Sequence, residues 1–144
     1  MTSVVVDASV AVKWCLPVAN DSLVSEAQQM LDAHSCGELH FLVPDLFWAE
    51  LGNVLWKAVR VGRASRAQAM SGLASIRDLN IPTSASVDLL PVGLEIAFAH
   101  DRTLYDSLYV ALAVQAGSVV ITADEKLANA LAAYLPVKWL GSFI

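Results

Sequence analysis

The stretch VVVDASV, residues 4–10, runs from three valines into an aspartate, a small residue and a serine. Consecutive β-branched residues are typical of a buried strand, and the pattern predicts a strand over residues 3–7. Asp7 closes this strand, at a place where a lone charge is costly to bury. The stretch therefore raises the question of what the carboxylate of Asp7 does.

The rest of the chain alternates short apolar strands with longer helical segments, which is typical of an α/β fold. The pattern predicts further strands over 41–43, 84–87, 118–122 and 137–140. It predicts helices over 8–16, 21–36, 45–61, 65–79, 90–100, 104–116 and 124–134, and Ser65 is expected to cap one of them. Near-continuous apolar strands favour a mostly parallel central sheet of four to five strands, flanked by helices on both faces.

Bulk composition narrows the function classes. The 144 residues are expected to form a single domain, 1–144, and 56% of them are apolar. No apolar run approaches the roughly 18 residues of a membrane helix, and no signal peptide is recognisable. Cys15 and Cys36 lack metal-ligand spacing, which favours free thiols in a reducing cytoplasm. The net charge of −5 argues against a protein that coats nucleic acid non-specifically.

A second acid, Asp124, follows another predicted strand in VVITADEKL. Ligands of open parallel sheets bind beyond the carboxyl ends of the strands, so Asp7 and Asp124 would share one crevice if their strands are neighbours. The alternative is that Thr122 caps the next helix with Glu125 at its third position, while the helix dipole favours Asp124.

Two more acids lie on predicted helices. Glu50 falls at the edge of the buried stripe of its helix, and Asp106 begins a helix that is apolar almost all round. Each acid also has a structural explanation: Asp7 could cap the following helix, Glu50 could extend to solvent, and Asp106 could complete a capping box with Thr103. A common crevice explains all the acids at once.

Such a crevice constrains the chemistry. Clustered carboxylates repel one another unless a divalent cation screens them, and oxygen ligands without His or Cys select Mg²⁺ or Mn²⁺ over zinc. These ions activate water for phosphodiester hydrolysis. The chain contains no glycine-rich phosphate loop, which argues against a nucleotide-driven motor or a dinucleotide enzyme.

Four motifs in this order resemble those of the PIN-domain ribonucleases, and most closely the toxins of VapBC-type toxin–antitoxin pairs. They are VVVDASVAVKW, PDLFWAELGNVL, TLYDSLYVALA and ITADEKLA. The resemblance covers nearly the whole chain and implies a PIN-like fold.

The resemblance also implies roles for individual residues. Asp7, Glu50, Asp106 and Asp124 would be catalytic and would hold Mg²⁺ or Mn²⁺, with metal-activated water attacking an RNA phosphodiester. Supporting roles fall to Ser9, which would hydrogen-bond a carboxylate or a metal-bound water, and to Thr122, which would orient the Asp124 loop. Further implications are a cytoplasmic homodimer, a VapB-type antitoxin, and a heterotetramer or larger assembly with it, with no role for a membrane.

Substrate contacts are less defined by the pattern. Arg60, Arg63 and Arg66 cluster around a predicted turn at Gly62 and could contact RNA or a partner, or form a solvated helix end. Asp101 is an additional acid near Asp106.

Three other functions stay open at this point. A phosphoacceptor domain resembling the haloacid-dehalogenase-like phosphatases would need a second aspartate where Ser9 stands. A non-catalytic metal- or partner-binding domain is another alternative, and an RNA-processing PIN nuclease without an antitoxin is the third.

Overall fold

The computed structural model describes residues 2–16 and 21–143, and its centre is a five-stranded, wholly parallel sheet. The strands are β1 (Thr2–Val6), β2 (Leu39–Pro44), β3 (Thr83–Ser84), β4 (Val119–Thr122) and β5 (Val137–Trp139). Their order across the sheet is β3-β2-β1-β4-β5. The predicted fold class is confirmed, with five strands.

Helices connect and flank these strands within the described residues. They are α1 (Ala8–Cys15), α2 (Val24–Ser35), α3 (Leu46–Arg60), α4 (Arg66–Arg77), α5 (Ser86–His100), α6 (Leu104–Ala116), α7 (Glu125–Leu131) and α8 (Leu140–Phe143). Ser65 caps α4 through a complete capping box with Gln68, as the pattern predicts. Pro17, the expected stop of the first helix, lies outside the described residues.

The order of the strands decides where a ligand can bind. The chain starts at the central strand β1, builds β2 and β3 on one side, and then returns to add β4 and β5 on the other. β1 and β4 are therefore neighbours, with Val6 opposite Ile121 in the register. Parallel strands whose connections diverge in this way leave a crevice at their carboxyl ends. Asp7 and Asp124 both follow strands that end there.

The buried core lies on the sheet and on the helix faces that cover it. Val4, Val5 and Val6 are completely inaccessible to solvent, which explains the unbroken β-branched run at the start of the chain. Phe41 and Phe47 are buried on β2 and α3. Burial on both faces of β1 brings the backbone of Asp7 to the edge of the core.

Two predicted segments around the crevice differ from the structure. The helix expected over 21–36 begins only at Val24, because Asp21 and Ser22 instead bind the buried ammonium of Lys13, at 3.0 and 2.7 Å. The strand expected over 84–87 is reduced to Thr83–Ser84, which pairs only with the end of β2.

Two further boundaries were wrong because local signals are ambiguous there. The helix expected from residue 90 starts at Ser86 and contains Pro91, which cannot donate a backbone hydrogen bond and so obscures the periodic pattern. The last strand ends at Trp139 and not at Leu140, whose side chain is buried at the start of α8. No helix among the described residues has both the length and the apolar character to cross a bilayer.

Candidate active site

The carboxylate of Asp7 is fixed by two hydroxyl groups at the carboxyl end of the sheet. Ser9 Oγ donates to Asp7 Oδ2 at 2.6 Å, and Thr122 Oγ1 donates to the same oxygen at 2.8 Å. Asp7 occupies the N-cap position of α1, but its side chain makes no capping hydrogen bond. The capping explanation of Asp7 is therefore wrong, since its oxygen faces β4 instead.

Hydrogen bonds of Ser9 and Thr122 connect the end of β1 to the end of β4 and the loop that follows it. Ser9 Oγ accepts a hydrogen bond from Ala123 N at 3.0 Å, and Thr122 Oγ1 accepts one from Asp124 N at 3.0 Å. Thr122 is completely buried and is not the cap of α7. The loop after β4 thus depends on the same hydroxyl groups that orient Asp7.

Asp124 itself caps the following helix. Its Oδ1 accepts a hydrogen bond from Leu127 N at 3.1 Å, which satisfies one of the free amides of α7. The capping role expected for Thr122 therefore belongs to Asp124. Asp124 is linked to Asp7 through its backbone amide, which donates to the same Thr122 hydroxyl that donates to Asp7.

Glu50 lies half-buried on α3, opposite α6. Tyr109, which is buried, donates its phenolic hydrogen to Glu50 Oε1 at 2.6 Å. Glu50 therefore does not extend freely to solvent. Sequence reasoning missed Tyr109, although its position three residues after Asp106, on the same face of an apolar helix, was a usable signal.

Asp106 lies in the first turn of α6. Its amide donates to Thr103 Oγ1 at 3.1 Å, while its carboxylate Oδ2 accepts from Arg102 Nη2 at 3.3 Å. Thr103 therefore caps α6. Among the described residues, the Asp106 side chain accepts no hydrogen bond from the backbone amide of Thr103, so the capping box is incomplete. The carboxylate of Asp106 is turned toward the arginine.

Asp7, Glu50 and Asp106 lie close enough for the charge of Asp106 to act on the other two and for that of Asp7 to act on Glu50. Burial raises the pKa of Asp7 above its usual range; the hydroxyls of Ser9 and Thr122 oppose this rise, and the charge of Asp106 adds to it. Burial also raises the pKa of Glu50, and the charges of Asp7 and Asp106 raise it further. The hydrogen bond from Tyr109 lowers it and so opposes these effects. Burial and the neighbouring carboxylates raise the pKa of Tyr109, so it remains a hydrogen-bond donor.

The three acids do not form a closed cage. Over residues 2–16 and 21–143, no group of three or more His, Cys, Asp and Glu side chains is arranged to hold a metal ion. The structure therefore brings Asp7, Glu50 and Asp106 within electrostatic reach of one another, while the carboxylate of Asp124 caps α7. A cation at this place would rely in part on water molecules, as Mg²⁺ commonly does in proteins.

The three arginines around Gly62 line different grooves. Arg63 lines a groove between α1 and α3 of about 660 Å³, together with Lys57 and Asp21. Arg60 and Arg66 line a groove between α3 and α4 of about 550 Å³, where Arg60 lies 5.3 Å from the ring centre of Trp56. Asp101 ends α5 in a left-handed conformation and is exposed.

Comparison with known proteins finds related sequences over most of the chain. A family model described as PIN domain matches residues 4–131. Ribonuclease VapC3 of Pyrobaculum aerophilum is 31% identical over 131 residues, which cover 87% of this chain and 92% of that protein.

Solved structures show the same fold at lower identity. The crystal structure of PAE2754 from Pyrobaculum aerophilum has a TM-score of 0.71 at 23% identity and covers 97% of this chain and 85% of its own. Mycobacterium tuberculosis VapC20, described as a sarcin-ricin loop cleaving toxin, has a TM-score of 0.65 at 17% identity, over 92% of this chain and 95% of its own. VapBC2 from Rickettsia felis, bound to a DNA fragment from its promoter, has a TM-score of 0.67 at 11% identity, over 96% of this chain and 98% of its own.

Proposed function

We propose that this chain, which belongs to the PIN-domain family, is a ribonuclease of the VapC type that hydrolyses RNA phosphodiester bonds with a bound divalent cation. The observation that carries the proposal is the carboxylate of Asp7, which Ser9 and Thr122 hold at the carboxyl end of β1, with Glu50 and Asp106 near enough for their charges to interact. Clustered carboxylates at a ligand-binding edge are suited to a cation and a phosphate.

The donor atoms fit Mg²⁺ or Mn²⁺. The site offers carboxylate and hydroxyl oxygens, which are the ligands these ions prefer, and repulsion between the acids is the cost that a divalent cation would relieve. Asp7, Glu50, Asp106 and Asp124 would hold the ion. When bound, it would supply a water of lowered pKa and neutralise charge on the phosphate.

The chain's own residues prepare this site. Ser9 and Thr122 hold one oxygen of Asp7 in place, so the carboxylate loses little freedom when a ligand binds. Tyr109 does the same for Glu50.

Removal of the cation tests this function. We expect the purified protein to cleave members of a mixed panel of structured RNAs in Mg²⁺ or Mn²⁺, and cleavage to fall at least about a hundredfold in EDTA, because the carboxylates alone cannot activate water. Excess Mn²⁺ should restore cutting. Cleavage that is equally fast in EDTA would contradict the proposed chemistry, and gel electrophoresis of end-labelled RNA measures it.

We further propose that a VapB-type antitoxin neutralises the protein. The groove between α3 and α4 supports a peptide partner, because apolar side chains such as Trp56, Met70 and Leu73 line it together with Arg60 and Arg66. Such a surface suits an apolar segment that carries acidic residues. Growth arrest on expression of the chain alone, relieved by a short protein encoded beside it, would support this role and separate a toxin from an RNA-processing nuclease.

A homodimer that assembles into a heterotetramer or larger complex with the antitoxin is part of the same proposal. Helix α5 supports a homodimer, because exposed apolar side chains lie along one of its faces. They are Val87, Pro91, Leu94 and Phe98. Phe98 is 82% exposed, and apolar rows of this kind mark interfaces.

A charge on this row should therefore separate the subunits. We expect Phe98→Asp to convert a dimer to a monomer at micromolar concentration, because it would place a carboxylate in an apolar contact. Met70→Asp on α4 alters a side chain of comparable exposure (66%) and should leave the dimer intact. Light scattering coupled to gel filtration distinguishes the two states, and a dimeric Phe98→Asp variant would exclude this face.

The remaining parts of the proposal concern the cellular compartment and the number of domains. We place the protein in the cytoplasm, where the free thiols of Cys15 and Cys36 would stay reduced. We also propose that residues 1–144 act as a single domain, in keeping with one core that connects the sheet to its helices.

A further inference from the structure

Arg102 contacts one of the proposed metal-binding acids directly. It lies in the short connection between α5 and α6, and its Nη2 lies 3.3 Å from Asp106 Oδ2. The other ion pair found among the described residues, Lys13–Asp21, lies at the far end of α1. Arg102 is therefore the cation that the described part of the chain itself brings to the acidic site.

The contact adds little to stability. It uses a single hydrogen bond of 3.3 Å and not the two parallel bonds of a bidentate arginine–carboxylate pair. Both side chains are about one third exposed, and pairs spaced four residues apart at a helix surface add little stability.

The same side chain also leaves a buried donor unused. Arg102 Nε is inaccessible to solvent and has no hydrogen-bond partner within the described residues. A buried donor without a partner is unfavourable, and in a native structure it calls for an explanation. The free protein thus holds Arg102 in an arrangement that another partner could improve.

We propose that Arg102 is a positioning residue that exchanges partners: it binds Asp106 in the free protein and an RNA phosphate once a divalent cation occupies the acids. This inference rests on the proposed function. A cation near Asp106 would repel the guanidinium and compete for the same oxygen, because both are positive. The released guanidinium has a planar set of donors that matches a phosphate.

The exchange predicts opposite effects of one substitution on two ligands. Arg102→Gln removes the competing charge, so Mn²⁺ should bind about 5- to 30-fold more tightly by calorimetry. The same variant should bind RNA about 5- to 30-fold more weakly when a cation is present, because a phosphate contact is lost. In EDTA, where Arg102 stays on Asp106, RNA affinity should not change.

The experiment uses the full chain and two matched controls. Arg102→Lys keeps the charge, and Arg77→Gln removes an exposed arginine at the end of α4; both should leave Mn²⁺ affinity within about twofold of the wild type. Melting curves confirm that each variant is folded. RNA binding is followed by fluorescence anisotropy of a short labelled phosphorothioate RNA, in Ca²⁺ and in EDTA.

The outcomes separate this inference from the proposed function. Unchanged or weaker Mn²⁺ binding by Arg102→Gln would overturn the competition with the cation. Tighter Mn²⁺ binding with unaltered RNA affinity in Ca²⁺ would overturn the exchange, leaving Arg102 as a counter-ion of Asp106. Absence of Mn²⁺ binding in every protein, the wild type included, would overturn the proposed metal site and the Arg102 inference with it.

Discussion

Asp7→Asn is expected to lower metal-dependent RNA cleavage at least about a hundredfold and yet to raise the melting temperature of the metal-free protein at neutral pH. The amide oxygen can still accept the hydrogen bonds of Ser9 and Thr122, so the pocket should keep its shape. What the substitution removes is the negative charge. In the metal-free protein this buried charge is destabilising, whereas in the proposed enzyme it would attract the cation.

The direction of the stability change follows from the pKa of Asp7. Burial raises this pKa in the folded protein, so the folded state holds the proton to higher pH than the unfolded chain. The stabilisation is complete below the ordinary pKa of an aspartate and is lost as pH rises through the raised value. Asparagine does not ionise, so the advantage of the variant should be present at pH 7–8 and fade toward pH 4, roughly the ordinary pKa of aspartate.

Asp101→Asn is the matched control for this prediction. Asp101 is an exposed acid that ends α5 in the left-handed conformation, which asparagine also adopts readily. We expect this variant to keep both its cleavage rate and its melting temperature. A metal-free Asp7→Asn protein that melts below the wild type at pH 7.5, or cleaves RNA at the same rate, would contradict the assignment of Asp7.

The second large effect concerns the close packing of α4 against α1, the helix that follows Asp7. Gly72 on α4 lies so close to α1 that an added Cβ would stand 2.8 Å from Cys15 Cβ and 2.9 Å from Cys15 O. One of these neighbours is backbone and cannot move aside alone. We expect Gly72→Ala to destabilise the protein by about 1–3 kcal/mol in urea unfolding, despite the better helix propensity of alanine.

Gly52→Ala provides the comparison. Gly52 lies inside α3, and nothing stands within 4 Å of a Cβ built at that position. Only the difference in helix propensity between glycine and alanine applies there, so the free energy of unfolding of this variant should rise by about 0.5–1 kcal/mol. If Gly72→Ala were as stable as Gly52→Ala, α1 and α4 would not be in the close contact that the structure shows.

Part of the site could be predicted because its signals are local. The valine run before Asp7, the apolar helix that begins with Asp106 and the strand before Asp124 are each readable from a few neighbouring residues. The side-chain partners were not readable in this way. Tyr109 reaches Glu50 from a residue 59 positions away, and Thr122 reaches Asp7 from 115 positions away.

Local patterns were also least informative where two explanations used the same residues. TADE is compatible with capping by Thr122 or by Asp124, and only the burial of Thr122 beneath Asp7 assigns the cap to Asp124. The strand expected over 84–87 failed for a related reason. Its pairing depends on how far β2 extends beyond Val43, which the segment itself does not encode.

The sequence by itself determined the α/β class, the parallel sheet and the acids that stand at strand ends and helix starts, because period and burial are properties of short segments. Tertiary structure alone decided that β1 and β4 are neighbours, that Asp7, Glu50 and Asp106 share one electrostatic environment while Asp124 caps α7, and that Arg102 rests on Asp106. These outcomes depend on which distant segments pack together. Packing of that kind minimises the free energy of the whole chain and is not a property of any one stretch.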